Sequence, residues 1–185
     1  MNLDKFTLRK EDCLLLIIDI QDRLAAVMEY KKKIIKNAKV LLKASELMDI
    51  PIIITEQYPR GLGSTVNELV DDGIEIHKKI EKTQFSAYTE EVKTTLKNLD
   101  KKKIIVTGME THVCVFQTIR DLLNEGYEVY LVNDGVTSRS KEDYLNGIDL
   151  MKQMGAIIVN TETILFDLLK DSNVSEFKTI SKMVK

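Results

Sequence analysis

The sequence is poor in residues that mark several specialised classes of protein. Its 185 residues include no tryptophan, two prolines, two histidines and two cysteines. The cysteines, Cys13 and Cys114, lie about a hundred positions apart, so they form no disulfide framework and lack the paired spacing of a zinc site. We therefore expect free thiols in a reducing compartment and assign the protein to the cytoplasm.

An excess of charge of one sign is also lacking, because 27 basic residues stand against 29 acidic ones and leave a net charge of −2. This balance gives no reason to expect nucleic acid as a partner. The first apolar run, CLLLIIDI, is far too short to cross a bilayer, and the segment before it mixes acids with bases. We expect no membrane partner and a single domain over residues 1–185.

Short apolar runs rich in isoleucine and valine alternate with longer stretches of helical periodicity. Near-continuous apolarity predicts strands buried on both faces, and the alternation is typical of a mostly parallel sheet covered by helices. The predicted strands are CLLLIID (13–19), PIIIT (51–55), KIIVT (103–107), EVYLV (128–132) and AIIVN (156–160), with a shorter one at IEIH (74–77).

Apolar residues at helical spacing lie between these runs. The predicted helices cover 30–48, 89–99, Cys114 to Gly126, about 141–153, a stretch from Thr161, and a C-terminal tail over 174–185. We expect the tail to dock on its own domain and the lysine runs at 31–33 and 101–103 to be solvated. The predicted fold class is α/β, a three-layer α/β/α sandwich with a mostly parallel, Rossmann-like sheet of about six strands.

The carboxyl ends of parallel strands meet at one edge of a sheet, where ligands bind. The first predicted strand ends with Asp19, the second with Thr55 and Glu56, and the strand that ends at Thr107 is followed by Cys114. An acid and a thiol therefore share one edge. Taken alone, Asp19 is more commonly a cap or turn residue.

Cys114 lies three residues after Thr111, a candidate N-cap, so we expect its sulfur in the first turn of a helix. Unpaired N–H groups and the helix dipole would lower the pKa of the thiol there and could hold an oxyanion. From position alone, a small buried hydrophobic residue is an equally good interpretation, and for Cys13 it is the only one. Lys82 is predicted in a loop, as a solvated charge or as electrostatic support for the acid and the thiol.

Four segments together resemble the isochorismatase-like cysteine hydrolases, the superfamily that also contains nicotinamidases and N-carbamoylsarcosine amidohydrolases. They are LLIIDIQDRL (15–24), TEQYPRGLGSTVNEL (55–69), EKTQFSAY (81–88) and VTGMETHVCVFQTIRDLLNEGYEVYLVNDGVTSRS (106–140). The segments occur in the family's order and span most of the chain. The C-terminal sequence from Met154 is similar to that of isochorismatase domain-containing proteins.

The resemblance implies roles for particular residues. It places the catalytic aspartate at Asp19, the lysine at Lys82 and the nucleophile at Cys114. It also implies a cis peptide between Met109 and Glu110, with the backbone N–H groups of Glu110 and Cys114 forming an oxyanion hole. Residues that flank the motifs are candidates for lining the substrate pocket: Gln21, Glu56, Tyr58, Phe85, Thr111 and His112.

Two departures from family patterns refine the expected chemistry. Metal-binding nicotinamidases carry histidines after the second strand, but TEQYPRGLGST has none, so we expect neither a metal nor a cofactor. Isochorismatases that cleave a vinyl ether do not need the cysteine, so its presence favours acyl chemistry. We expect a hydrolase of a small non-peptide amide or related acyl substrate, with a Cys114 thioester, Asp19 as base and Lys82 lowering the pKa of that acid.

Other interpretations stay open at this point. A family member without catalysis could serve as a binding or scaffold protein, and ether hydrolysis is a second alternative. A receiver-like or dinucleotide-binding module would need further acids or a G-x-G-x-x-G motif, and the sequence has neither pattern. A thiol redox role lacks a nearby resolving cysteine. The resemblance further implies a small-molecule substrate and a homo-oligomer, at least a dimer.

Overall fold

The computed structural model of the protein describes residues 3–70 and 73–184. At its centre is a parallel sheet of six strands in the order β3-β2-β1-β4-β5-β6. The strands are β1 (Cys13–Ile18), β2 (Ile52–Gln57), β3 (Lys78–Lys82), β4 (Lys103–Met109), β5 (Glu128–Thr137) and β6 (Ile157–Val159). The predicted α/β architecture and strand number are confirmed.

Helices cover both faces of the sheet. They are α1 (Asp22–Ala26), α2 (Lys31–Leu47), α3 (Pro59–Leu62), α4 (Asn67–Val70), α5 (Glu90–Leu99), α6 (Phe116–Asn124), α7 (Lys141–Gln153), α8 (Thr161–Leu169) and α9 (Phe177–Met183). One core contains side chains of α2, α8 and α9, and the other contains side chains of α5, α6 and α7. Within the described ranges, no helix is both long and apolar enough to span a membrane.

The two cores explain why β1 is apolar at every position. Leu15 and Ile17 belong to the core under α2, whereas Leu14, Leu16 and Ile18 belong to the core under α5 and α6. All five side chains are fully buried. Successive side chains of a strand point to opposite faces, so a strand covered on both sides needs an unbroken apolar run.

The prediction of a strand at 74–77 is wrong. The strand in this region is β3, Lys78–Lys82, which begins directly after the predicted range. β3 is an edge strand that pairs only with β2, so polar residues alternate with the buried side chains of Ile80 and Lys82. Ile74 and Ile76 pack against the core from an irregular segment and imitate the pattern of a strand. Lys82 therefore ends a strand and does not lie in a loop.

Lys103 is buried, contrary to the expectation that the lysine run 101–103 is solvated. Its ammonium donates to the backbone carbonyls of Asp4 and Thr7 at 2.9 and 2.6 Å, and it lies 3.2 Å from a carboxylate oxygen of Glu128. These contacts hold the N-terminal segment at the amino edge of the sheet. Cys13, at the same edge, is fully buried as expected.

Within the C-terminal tail predicted at 174–185, residues 177–183 form α9, which packs on its own fold, and residue 185 lies outside the described residues. Ile180 is fully buried, and Phe177 and Val184 are partly buried against the same core. The ring of Phe177 also lies 6.4 Å from that of Phe166 on α8, measured between centroids.

The order of the strands reverses between β1 and β4, and the carboxyl edge at such a switch point is the usual binding crevice of this architecture. Gly108 of β4 pairs with Ile18 of β1 at that edge. Its φ is +141°, and a Cβ atom built there would lie 2.1 Å from the carbonyl oxygen of Ile18. Only glycine allows the two strands to approach this closely.

We predict that Gly108→Ala lowers the free energy of unfolding by more than about 3 kcal/mol, because the new methyl group must separate β1 from β4. Urea unfolding measures the loss. Gly126→Ala is the matched control, since Gly126 also has a positive φ (+87°) but no atom lies within 4 Å of a built Cβ. The control should lose only about 1 kcal/mol, and equal losses in both variants would contradict the steric argument.

Candidate active site

Three residues from separate parts of the chain converge at the carboxyl edge of the sheet. Asp19 directly follows β1 in a left-handed conformation, with a φ of 52°, and Lys82 is the last residue of β3. Cys114 lies in a π-helical turn, Thr111–Val115, between β4 and α6. All three are buried, with exposed fractions of 0, 5 and 6% for Asp19, Lys82 and Cys114.

The ammonium of Lys82 forms a buried ion pair with Asp19. Its Nζ lies 2.6 Å from Oδ2 of Asp19, and neither side chain is exposed. The same ammonium donates to Oε1 of Gln57 at 2.8 Å and to the carbonyls of Gln84 and Phe85 at 3.2 and 3.1 Å. An ammonium has three protons, and here they face four acceptors, so none is left for another partner.

Burial raises the pKa of the Asp19 carboxyl. The charge of Lys82 and hydrogen bonds from Lys82, Thr55 and the Cys114 thiol oppose this effect without cancelling it. The expectation that Lys82 keeps the pKa of Asp19 low is therefore wrong in its net result, although Lys82 acts in the expected direction. Desolvation of the carboxylate outweighs the ion pair.

The pKa of the Cys114 thiol is raised to about 12, first by burial and then by the negative charge of Asp19, while Lys82 acts in the opposite direction. The sequence-based expectation of a lowered pKa is thus wrong. The start of a helix lowers the pKa of a thiol, but burial raises it, and burial is the larger effect at Cys114. The thiol and the Asp19 carboxylate interact, and the negative charge of Asp19 favours the protonated thiol.

In the turn that carries Cys114, the carbonyl of Glu110 accepts hydrogen bonds from two neighbouring N–H groups but not from the N–H group of Cys114. That carbonyl accepts from the N–H groups of Val113 and Val115, at 3.1 and 3.2 Å. The peptide bond between Met109 and Glu110 is cis. Backbone donors at the start of a helix are the kind of group that holds an oxyanion.

Thr111 is not the N-cap that the sequence indicated, because Glu110 occupies the capping position and makes no side-chain cap. The hydroxyl of Thr111 is buried and has no hydrogen-bond partner in the described part of the chain. The side chain of His112 lies against the segment after β5, with Nδ1 3.0 Å from Oγ of Ser138 and Nε2 3.8 Å from a carboxylate oxygen of Asp143.

Gln21 and Glu56 use their side chains to hold the segment that follows β2. The amide of Gln21 accepts from the N–H of Gln57 and donates to the carbonyls of Gln57 and Gly63, at 2.7, 3.0 and 2.6 Å. Glu56 accepts from the N–H and hydroxyl of Thr65, at 2.6 and 2.7 Å. Burial would raise the pKa of Glu56, but the hydrogen bonds from Thr65 and the ammonium of Lys79, 3.3 Å from the carboxylate, together outweigh it and lower the pKa.

Tyr58 and Phe85 contact Lys82 through their backbones, while each residue as a whole is 55% exposed. The N–H of Tyr58 donates to the carbonyl of Lys82 at 2.8 Å, and the carbonyl of Phe85 accepts from the ammonium. Both aromatic rings therefore lie at the surface close to the buried ion pair.

Sequence reasoning assigned no role to two residues that contact the ion pair. The hydroxyl of Thr55 donates to Oδ1 of Asp19 at 2.7 Å, and the amide of Gln57 accepts from Lys82. Both lie at the carboxyl end of β2, two positions apart, so they share one face of the sheet. That spacing is the signal in the sequence that could have identified them.

Residues 3–70 and 73–184 contain no group of three or more histidine, cysteine, aspartate or glutamate residues that could hold a metal ion.

Comparison with known proteins gives a consistent result. The family model of the isochorismatase domain matches residues 13–163. Isochorismatase family protein 1A of Dictyostelium discoideum is 42% identical over 171 residues, which cover 90% of this chain and 83% of the relative. Isochorismatase domain-containing protein 2 of Danio rerio is 39% identical over 171 residues, which cover 92% and 85% of the two chains.

Two solved structures extend the similarity to the fold. The structure of the MAR1 ribonuclease from Caenorhabditis elegans has a TM-score of 0.92 and 35% sequence identity, and the match covers 96% of this chain and 92% of that one. The YcaC gene product of Escherichia coli, described as an octameric hydrolase of unknown specificity, has a TM-score of 0.88 at 23% identity over 96% and 90%. At that identity the second match supports the fold alone.

We predict that the buried pair has a large coupling energy. Asp19→Asn and Lys82→Met should each lower the free energy of unfolding by about 3–5 kcal/mol, because each leaves a polar or charged partner buried and uncompensated. The double variant should recover a large part of this loss. The exposed pair Lys78 and Glu91, 2.9 Å apart, is the control, and its cycle should give less than about 1 kcal/mol. Equal coupling energies in the two cycles would contradict the prediction.

The raised pKa of Cys114 predicts slow alkylation in the free protein. In a Cys13→Ala background, iodoacetamide should modify Cys114 at about pH 7.5 no faster than it modifies free cysteine, because the thiolate is the reactive species. The rate should keep rising with pH beyond the titration range of free cysteine. Mass spectrometry of the labelled peptide measures the rate, and a plateau below about pH 8 would contradict a raised pKa.

Proposed function

The chain belongs to the isochorismatase family, as its sequence motifs indicate, and on this premise we propose that it is a cysteine hydrolase of small, non-peptide amides or related acyl compounds. The observation that carries the proposal is the convergence of Cys114, Asp19 and Lys82, all buried, at the carboxyl edge of the sheet. A nucleophile beside a base, with the base held by a third group, is the arrangement that covalent catalysis requires.

In the proposed reaction, the sulfur of Cys114 attacks the carbonyl carbon while its proton passes to Asp19. A free thiolate with a pKa of about 12 would cost on the order of 7 kcal/mol at neutral pH. Proton transfer is therefore coupled to the attack instead of preceding it. The negative charge that leaves the thiol appears on the carbonyl oxygen, where the N–H groups of Glu110 and Cys114 are the proposed donors.

Asp19 then returns the proton to the leaving amine, and the carbon–nitrogen bond breaks to leave a thioester on Cys114. A water molecule gives a proton to Asp19 as its oxygen attacks the thioester. The carboxylic acid is released when the carbon–sulfur bond breaks, and the sulfur regains its proton from Asp19. The same carboxyl group thus serves twice as base and twice as acid.

Lys82 acts through its charge in this scheme and does not donate a proton. Its ammonium is buried and enclosed by Asp19, Gln57 and two backbone carbonyls. A fixed positive charge lowers the cost of keeping Asp19 ionised before each proton that it accepts.

The alternatives differ in what they require. A non-catalytic scaffold would not need a thiol and an acid buried at one edge of the sheet, and vinyl ether cleavage would not need the thiol. The similar protein from Caenorhabditis elegans is named as a ribonuclease. The net charge of −2 does not favour that activity for this chain. We further propose a cytoplasmic homo-oligomer, in line with the free thiols and with the octamer described for YcaC.

The proposal predicts an acyl-enzyme on Cys114. The wild type, treated with p-nitrophenyl acetate and a panel of small aliphatic and aromatic amides, should gain the mass of the acyl group on the peptide that contains Cys114. Cys114→Ala should gain none, and Asp19→Asn should acylate at least about a thousandfold more slowly because the base is lost. Intact-protein and peptide mass spectrometry measure both results.

Cys13→Ala is the matched control, because Cys13 is a buried thiol at the opposite edge of the sheet and should leave acylation unchanged. An adduct that persists in Cys114→Ala would overturn the assignment of the nucleophile. A wild type that neither acylates nor turns over any compound of the panel would favour the non-catalytic alternative.

A further inference from the structure

β2 places Thr55 directly against the catalytic carboxylate. Its side chain is fully buried, and its hydroxyl lies 2.7 Å from Oδ1 of Asp19, the oxygen that Lys82 does not contact. The backbone carbonyl of Thr55 also accepts a hydrogen bond from the N–H of Asp19 at 3.1 Å. Thr55 therefore contacts Asp19 twice, once through the backbone and once through the side chain.

These two contacts restrict the conformation of Asp19. The residue leaves β1 with a left-handed backbone, which is uncommon outside glycine and needs support from its surroundings. The backbone hydrogen bond to Thr55 holds the start of this turn. The hydroxyl and the ammonium of Lys82 then hold one carboxylate oxygen each, which fixes the plane of the carboxylate.

The identity of the residue suits this task. A β-branched side chain in a strand has a restricted χ1 angle, so the hydroxyl of Thr55 is oriented before the contact forms. A hydrogen bond donated to a carboxylate favours the ionised form. The hydroxyl therefore acts on both properties that a base needs, its direction and its ionisation.

We propose that Thr55 is a positioning residue for the reaction: its hydroxyl keeps Asp19 ionised and oriented toward the Cys114 thiol. This inference rests on the proposed function, because it assigns Thr55 a task in preparing the base. Thr55 contacts neither the sulfur nor the reacting carbonyl in this scheme and acts only through Asp19.

The test compares three variants of buried threonines. Thr55→Val removes the hydroxyl and keeps the shape, and Thr55→Ser keeps the hydroxyl. Thr95→Val is the matched control, because Thr95 is buried in α5 and its hydroxyl donates to the carbonyl of Glu91 at 2.8 Å. Each variant is titrated by ¹³C NMR of its labelled aspartate carboxyl groups, and its acylation by p-nitrophenyl acetate is measured against pH.

Loss of the donor removes a stabilising interaction from the ionised form, so the pKa of Asp19 should rise by about one unit in Thr55→Val. The acid limb of acylation should move to higher pH by the same amount, because the base is then protonated at a higher pH. At neutral pH we expect a 10- to 100-fold slower rate, as for other general acid–base defects. Thr55→Ser should lie within a few-fold of wild type, and Thr95→Val should equal it.

A merely structural role would lower the melting temperature of Thr55→Val without moving the acid limb. That result, or an equal loss in Thr55→Ser and Thr55→Val, would overturn the inference.

The experiment distinguishes failure of this inference from failure of the proposed function. If the wild type is not acylated, the proposed function fails while NMR still reports the effect of Thr55 on Asp19. If acylation proceeds equally in wild type and Thr55→Val, the function stands and the role of Thr55 falls.

Discussion

The buried ion pair between Asp19 and Lys82 is the interaction on which the rest of the candidate site depends. Both side chains are removed from water, and their atoms lie 2.6 Å apart. Two charges survive burial only when further hydrogen bonds satisfy them. The end of β2 and the segment after β3 supply those bonds: Gln57 and the carbonyls of Gln84 and Phe85 surround the ammonium, and Thr55 donates to the carboxylate. The hydrogen bonds to the pair therefore constrain the conformation of the segments next to it.

The same pair affects the protonation of Cys114. Burial and the neighbouring Asp19 carboxylate both oppose loss of the thiol proton, so the pKa of Cys114 is raised and the free protein holds it as a thiol. A positive charge at the thiol would have the opposite effect, but Lys82 is committed to Asp19 and its acceptors. The charge of Lys82 does lower the pKa of the thiol, but burial and the charge of Asp19 outweigh it.

The sequence predicted the central strands more accurately than the edge strand β3. It indicated where Asp19 and Cys114 lie, but not the direction in which their pKa values shift. β1 and β4 are covered on both faces, so nearly all their residues are apolar and each strand can be recognised as an unbroken apolar run. β3 has one neighbour and mixes lysine with isoleucine, so its pattern was hidden by that of Ile74 and Ile76. The strand-end argument placed Asp19 and Cys114 at one edge of the sheet, and the family resemblance assigned roles to them and to Lys82. No local pattern records the contact between Asp19 and Lys82, which lie 63 positions apart. The pKa values depend on burial, which the spacing of residues does not give, so the helix start at Cys114 suggested the wrong direction.

A protonated resting thiol has a consequence for selectivity in the proposed reaction. If proton transfer to Asp19 is unfavourable by itself, it must be driven by the charge that develops on the substrate oxygen. Only a compound whose carbonyl oxygen reaches the backbone donors at Glu110 and Cys114 can supply that drive. An electrophile that reaches the sulfur without placing an oxygen there meets an unreactive thiol. Burial of the ion pair and of the thiol would thus restrict the chemistry to acyl substrates of the right shape, at the cost of a nucleophile that is weak until a substrate is bound.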